Sequence, residues 1–178
     1  SFEEVVNSLL NRIKDINPII NAIPNLCIER AKDKYKRLKV SHGLYGLPIF
    51  IKDLTDVKGV KTTYGSSIYE NHIPKESDIL VEKIEENNDI IIGKTNTPEF
   101  GAGSNTFNNL FGSTRNPWNT KLTSGGSSGG SAAALASGMA LLATGTDLGG
   151  SLRNPASWCG IVGLRTSPGL IAHGPKKL

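Results

Sequence analysis

The chain has 178 residues, 38% of them apolar and 20% charged, with a formal net charge of +4. That length suits one domain with a sizeable core, and the balance excludes a disordered tail or a membrane bundle. The longest apolar stretch, Ala132 to Ala143, is too short to span a bilayer and is interrupted by Ser137 and Gly138.

In chain order, SFEEVVNSLL has no basic region ahead of an apolar one, so no signal peptide is expected. The first forty residues read as helices. Val5, Leu9, Ile13 and Ile16 recur at helical spacing, and Pro18 and Pro24 are expected to break the pattern. Arg30 to Lys39 (RAKDKYKRLK) holds six basic residues in ten and accounts for the charge excess. It reads as a solvated helix face rather than a nucleic-acid patch. Gly43 to Gly46 reads as a turn, and LPIFI (Leu47 to Ile51) as a short buried strand. Asp78 to Glu86 reads as an amphipathic helix with Ile79, Leu80, Val81 and Ile84 inward. DIIIG (Asp89 to Gly93) reads as a second buried strand, and Ser131 to Ala143 as a small-residue helix wrapped on all sides. Alternating strands and helices predict an α/β sheet. The chain starts without Met and stops at GPKKL with no closing element, which reads as a fragment.

The composition changes near residue 100. Fifteen acids and fourteen bases precede it; one acid, Asp147, and six bases follow, with fifteen of the twenty glycines. So few carboxylates among so much Gly, Ser and Asn mark either a linker or the tightly turned backbone of a site. Cys27 and Cys159 are far apart and lack metal-ligand spacing, which suggests reduced cytosolic thiols rather than a disulfide scaffold. Cys159, in the apolar run SWCGIVGL, reads as an inert core thiol. His42, His72 and His173 leave little material for a metal site and read as surface or packing residues.

Three segments are candidates for chemistry. In TSGGSSGGS (Thr123 to Ser131) eight consecutive residues are Ser or Gly, and they run straight into the apolar AAALASGMALLA. A flexible linker would not feed a buried helix; a glycine loop at a helix N-terminus presents free N–H groups to an anion or a developing oxyanion. The Gly-Lys-Ser/Thr ending of a P-loop is missing. In GTDLGGS (Gly145 to Ser151) two glycines beside a serine suit an oxyanion hole, and equally a plain turn. Lys52 follows the apolar strand and precedes Asp53. It reads either as an ion pair with Asp53 or Asp56, or as a desolvated base. A nucleophile elbow around Ser127 or Ser128, with Asp147 and His173, satisfies G-x-S-x-G, but RNPWNTKLT is not the buried strand an elbow needs.

Together these segments resemble the amidase signature family, the Ser-Ser-Lys hydrolases. GLPIFIKD resembles the strand carrying the catalytic lysine. GKTNTPEFGAGSNTFNNLFGSTRNPWN (Gly93 to Asn119) resembles the approach loop, and Ser124 to Gly169 the signature itself. The likeness runs from about Asn17 to Gly169 and would cover only the N-terminal part of a complete domain, so residues 1–178 are expected to be one such portion. Lys52 and Ser127 lie 75 residues apart, Ser127 and Ser151 24, both similar to the family's intervals.

The resemblance implies a mixed sheet flanked by helices on both faces. It makes Ser151 the nucleophile, Ser127 the bridging serine after a cis peptide from Gly126, and Lys52 the terminal base. Backbone N–H groups of Leu148, Gly149, Gly150 and Ser151 become the oxyanion hole. Ser128, Asp147 and Arg153 become supporting residues, and the Asp53 carboxylate is expected to face away from Lys52. It implies a cytoplasmic enzyme, with a homodimer possible, acting on a small-molecule amide with no cofactor or metal, no nucleic acid and no membrane. The rival within the family is the ammonia-releasing glutaminase, the A subunit of glutamyl-tRNA(Gln) amidotransferase. That rival typically has Asn where Leu54 stands, NMDEF where this chain has NTPEF (Asn96 to Phe100), and GLKPT where it has GLRTS (Gly163 to Ser167). These departures favour a stand-alone amidase. A truncated, non-catalytic interaction module is the remaining alternative.

Overall fold

The structure is a computed structural model that describes residues 1–38, 46–172 and 174. Helix α1 (Phe2–Ile20) opens with a reciprocal cap: the Ser1 hydroxyl accepts from the Glu4 N–H, and the Glu4 carboxylate accepts from the Ser1 amine. Its buried stripe is Phe2, Val6, Leu9, Ile13 and Ile20, with Val5 left at the surface. Pro18 does not break the helix as expected, because it lies in the last turn, where its missing N–H removes a single bond. The helix stops instead at Asn21, which is left-handed at φ 58°. There the Asn17 carboxamide oxygen accepts the N–H groups of Ala22 and Ile23, both at 2.9 Å.

Strand β1 (Asn25–Leu26) and helix α2 (Ile28–Arg37) follow. The basic run is helical through Arg37. Arg30 pairs with Glu85 at 2.9 Å and Lys32 with Glu29 at 3.1 Å. Lys39, His42, residues 43–45 of the expected turn and His173 lie outside the described residues. Strand β2 (Pro48–Lys52), helix α3 (Ile79–Glu86, capped by Asp78) and strand β3 (Ile90–Thr95) stand close to their expected places. Of the four α3 residues expected inward, Val81 is fully buried and the others are half-buried. Strands β4 (Phe107–Asn108) and β5 (Gly112–Ser113) form a separate hairpin.

Helix α4 (Gly129–Ala136) departs from the expected Ser131 to Ala143 at both ends. The Ser137 hydroxyl turns back to donate to the Ala133 carbonyl at 2.6 Å, and Gly138 takes φ 72°. The chain then leaves the helix, and Leu142–Ala143 becomes an edge strand, β6, beside Ile49 and Phe50. Leu141 and Leu142 are exposed, so this run is not wrapped on all sides. Helix α5 (Arg153–Cys159) closes the set.

The sheet order is β1-β3-β2-β6, with β1 antiparallel to β3 and the other two pairings parallel. One face carries Phe50, Ile90 and Ile92 against α1, Ala31 of α2 and Ala133 and Ala134 of α4. The other carries Ile49, Ile51 and Ile91 against Val57, Val60 and Val81 of α3. A mixed sheet with helices on both faces is the architecture expected.

The β2–β3 register shifts once. Ile49 pairs with Ile91 but Phe50 with Gly93, so Ile92 is an extra residue. The bulge reverses the facing of everything after it. Lys52 continues the Phe50 face, whereas Lys94, paired with Ile51, goes to the opposite face. Gly93 makes this possible, since a Cβ there would lie 2.6 Å from the Asn25 carbonyl oxygen and 2.7 Å from the Phe50 ring. Gly93→Ala is expected to destabilise the chain by about 2 kcal/mol or more, read as a fall in the urea midpoint at unchanged slope.

Candidate active site

Strand β2 delivers Lys52 to the sheet's C-terminal edge with its side chain fully buried. Its Nζ donates three hydrogen bonds, to Ser127 Oγ at 2.7 Å, Ser128 Oγ at 3.0 Å and Thr146 Oγ1 at 2.6 Å. Three donors meet three neutral acceptors. Burial brings the Lys52 ammonium down to about 7, with Asp147 pulling the other way.

Of the two origins open to Lys52 in the sequence, the ion pair with Asp53 or Asp56 is not made. Strand alternation turns the Asp53 carboxylate to the far face, where it accepts from the Thr63 N–H and hydroxyl and pairs with Lys94. Asp56 accepts from the Tyr64 hydroxyl instead.

Ser127 and Ser128 are buried immediately before α4. The Gly126–Ser127 peptide bond is cis. The loop packs too closely for side chains: a Cβ on Gly126 would lie 2.8 Å from the Asn105 nitrogen. This is a site backbone and not a linker. Ser128 Oγ accepts from the Thr146 N–H at 3.2 Å and lies 3.3 Å from the Thr146 carbonyl, which ties the loop to the segment after β6.

Ser151 is half-buried on the turn before α5. Its carbonyl accepts from the Ser128 N–H at 3.0 Å, which holds the two loops together. Its hydroxyl makes no hydrogen bond among the described residues, so the side-chain link to Ser127 is not made. Asp147 braces this turn from behind. Its carboxylate accepts the N–H groups of Gly150 at 2.8 Å and of Leu152 and Arg153 at 3.2 Å. Arg153 adds a bidentate pair at 2.9 and 3.0 Å, and Arg165 Nε lies 3.5 Å away. The Arg153 guanidinium, ahead of the backbone donors, holds the Asp147 carboxyl well below the ordinary carboxylate range.

The Gly150 N–H, expected among the oxyanion donors, is therefore already given to Asp147. The N–H groups of Leu148, Gly149 and Ser151 have no partner among the described residues. An elbow built on Ser128, Asp147 and His173 lacks its geometry, because Ser128 sits on Lys52 and Asp147 is committed to Arg153.

Sequence reasoning missed Thr144, Thr146 and Lys94. Thr144 Oγ1 accepts from the Lys52 backbone N–H at 3.0 Å. Cys159 is buried, its thiol pushed up to about 11 by burial, in keeping with an inert core group. A mostly apolar cavity of about 720 Å³ opens beside Ser128 and Ser131, walled by Leu135, Leu142, Leu152 and Ile161. Among the described residues no three His, Cys, Asp or Glu side chains are grouped to hold a metal ion, and no helix is long and apolar enough to cross a membrane.

The family model described as Amidase matches residues 4–177. The A subunit of glutamyl-tRNA(Gln) amidotransferase from Thermoanaerobacter pseudethanolicus is 44% identical over 96% of this chain and 36% of its own length. The crystal structure of the same-named protein from Thermotoga maritima superposes with a TM-score of 0.77 at 38% identity, over 91% of this chain and 34% of the other. A bacterial aryl acylamidase, described as belonging to the amidase signature enzymes, gives 0.82 at 34% identity over 89% and 35%. The chain thus spans little more than a third of the relatives it matches. With the family model covering nearly all of it, the chain belongs to the amidase signature family, whose N-terminal portion it represents.

Proposed function

We propose that this chain carries the nucleophile, relay and base of an amidase that hydrolyses a carboxylic amide C–N bond to an acid plus ammonia or an amine. The observation that carries this reading is the Lys52 side chain, buried, near neutrality and hydrogen-bonded to Ser127 at 2.7 Å. A serine hydroxyl is a poor nucleophile until a base takes its proton. Once the Ser151 hydroxyl turns onto Ser127, a contact this structure does not make, neutral Lys52 takes the Ser127 proton as Ser127 takes that of Ser151, and Ser151 Oγ attacks the amide carbonyl. The negative oxygen is held by the N–H groups of Gly149 and Ser151, with Leu148 as a further donor; removing one such donor typically costs about 3–4 kcal/mol of barrier. The relay returns the proton to the departing nitrogen, and water cleaves the acyl ester. Two free thiols support placing the enzyme in a reducing, cytoplasmic compartment.

A second reading takes glutamine as the amide and passes its ammonia to a partner. The likeness to amidotransferase A subunits favours it; the departures at Leu54, NTPEF and GLRTS favour the stand-alone enzyme. Ammonia release from glutamine, compared with a panel of simple carboxylic and aryl amides, separates the two.

Exposure to a fluorophosphonate followed by mass spectrometry tests the shared chemistry. One adduct on Ser151 is expected, absent in Ser151→Ala and slowed by roughly 100-fold or more in Lys52→Ala. Its rate should rise with pH through about 7 as the Lys52 ammonium loses its proton. An adduct on Ser128 would reject the assignment; none in a folded chain would mean that the rest of the family domain is needed or that the chain is a non-catalytic module. Asp147→Asn should lower stability by about 2 kcal/mol and slow labelling by splaying the Gly149–Ser151 turn. Because the Asp147 carboxyl is depressed on folding, this contribution is full above about pH 4 and fades as pH falls further. Thermal melts of the wild type and variant at neutral and acid pH read it.

A further inference from the structure

The mechanism leaves one buried charge pair unused. Lys94 and Asp53 are 0% and 1% exposed and lie 3.7 Å apart, on the sheet face opposite the Lys52 side chain. Lys94 Nζ also donates to the Thr55 carbonyl at 2.5 Å and to Thr62 Oγ1 at 3.0 Å. Asp53 is fixed as firmly, by the Thr63 N–H and hydroxyl. Its own N–H donates to Thr95 and the Lys52 carbonyl accepts from Thr55, so the backbone on both sides of the Lys52–Asp53 peptide is held.

A buried ion pair is weak support for stability, since apolar residues of similar volume often do as well. The position of this one is informative. Asp53 is the chain neighbour of Lys52, and a carboxylate that close, left uncompensated in a dry interior, would make Lys52 hold its proton. Asp147 already pulls in that direction. A second unneutralised carboxylate would add to that pull.

We propose that Lys94 is a positioning residue that clamps Asp53 on the far side of the sheet and cancels its charge, leaving Lys52 free to serve as the neutral base. The bulge at Ile92 is the structural means, because it turns Lys94 from the Phe50 face to the Asp53 face. This role rests on the function proposed above. The charged and titratable groups around Lys94 are Asp53, Asp56 and Cys27; Asp147 is the one that acts on Lys52, with Asp53 its chain neighbour on the opposite face. Burial moves both partners towards their neutral forms, Lys94 down to about 8 and Asp53 upward, and each opposes the change in the other.

The test titrates lysines of the whole chain by NMR through isotope-labelled ε-carbons, with the Lys52 signal assigned by its loss in Lys52→Met. Lys94→Met should raise the Lys52 midpoint by about one pH unit. Asp53→Asn combined with Lys94→Met should return it to the wild-type value, and Lys94→Arg should leave it there. An unchanged midpoint in folded Lys94→Met, or an equal rise in the double variant, overturns the proposal. If Lys94→Met does not fold, Asp53→Asn decides: the released Lys94 cation should lower the Lys52 midpoint, and no movement overturns the clamp. The titration needs no turnover, so it reads the clamp, whereas Ser151 labelling reads the amidase assignment.

Discussion

The site depends on an ammonium group that is buried, fully hydrogen-bonded and not neutralised. Lys52 meets three hydroxyls and no carboxylate, so its donors are satisfied while its charge stays expensive to keep. That combination separates a lysine suited to proton transfer from a structural one, because a carboxylate partner in place of any hydroxyl would fix the proton. Each acceptor comes from elsewhere in the chain. Ser127 and Ser128 require the glycine loop ahead of α4, and Thr146 requires that the chain leave α4 early and return along β6. The short helix and the edge strand serve one purpose, bringing residues 127–128 and 144–146 to the end of β2.

Acids are scarce after residue 99. Carboxylates around the turn before α5 would take its N–H groups, and those of Leu148, Gly149 and Ser151 have no partner among the described residues. Asp147 is the one acid there, and it is contained. Arg153 neutralises it, and it accepts from Gly150, Leu152 and Arg153 while leaving Gly149 and Ser151 untouched. The carboxylate that shapes the turn therefore consumes one glycine donor. Gly150 itself is required by the backbone: it has φ 113°, where side chains are strained, and its place is crowded by Asn154.

The sequence was informative where chemistry and local pattern coincide. Lys52 closes an apolar strand, Ser127 lies in a glycine run that cannot be a linker, and Asp147 is alone among bases; all three converge in space. The α/β class followed from alternating strands and helices, and the mixed sheet with helices on both faces from the family resemblance. Features depending on distant packing were not legible. Thr144 and Thr146 look like any threonines, because a hydroxyl aimed at a lysine leaves no periodic trace. Pro18 reads as a helix breaker unless the helix is known to end three residues later. The end of α4 is hidden inside an apolar run, where only the Ser137 back-bond and Gly138 mark the exit. The bulge at Ile92 is hidden most completely. In IIIGK every residue before the lysine suits either face of a buried strand, so only the partner strand reveals which way Lys94 turns.

The positions where this chain departs from the pattern expected of amidotransferase A subunits lie outside the Lys52–Ser127–Ser151 set, and on the proposed reading their placement bears on substrate rather than on the bond-breaking step. Leu54 packs over Gly101, where a Cβ would stand 2.7 Å from Leu54 Cδ2. Thr97 and Pro98 shape the turn into Phe100, whose φ of 52° is held by an N–H bond to the Tyr64 carbonyl. Arg165 reaches Asp147 at 3.5 Å from the exposed side. Each touches the frame around the site, and none touches the lysine or the two serines. On the proposed reading the base is set by the interior of the sheet and the substrate by its rim, so family membership constrains the first more tightly than the second.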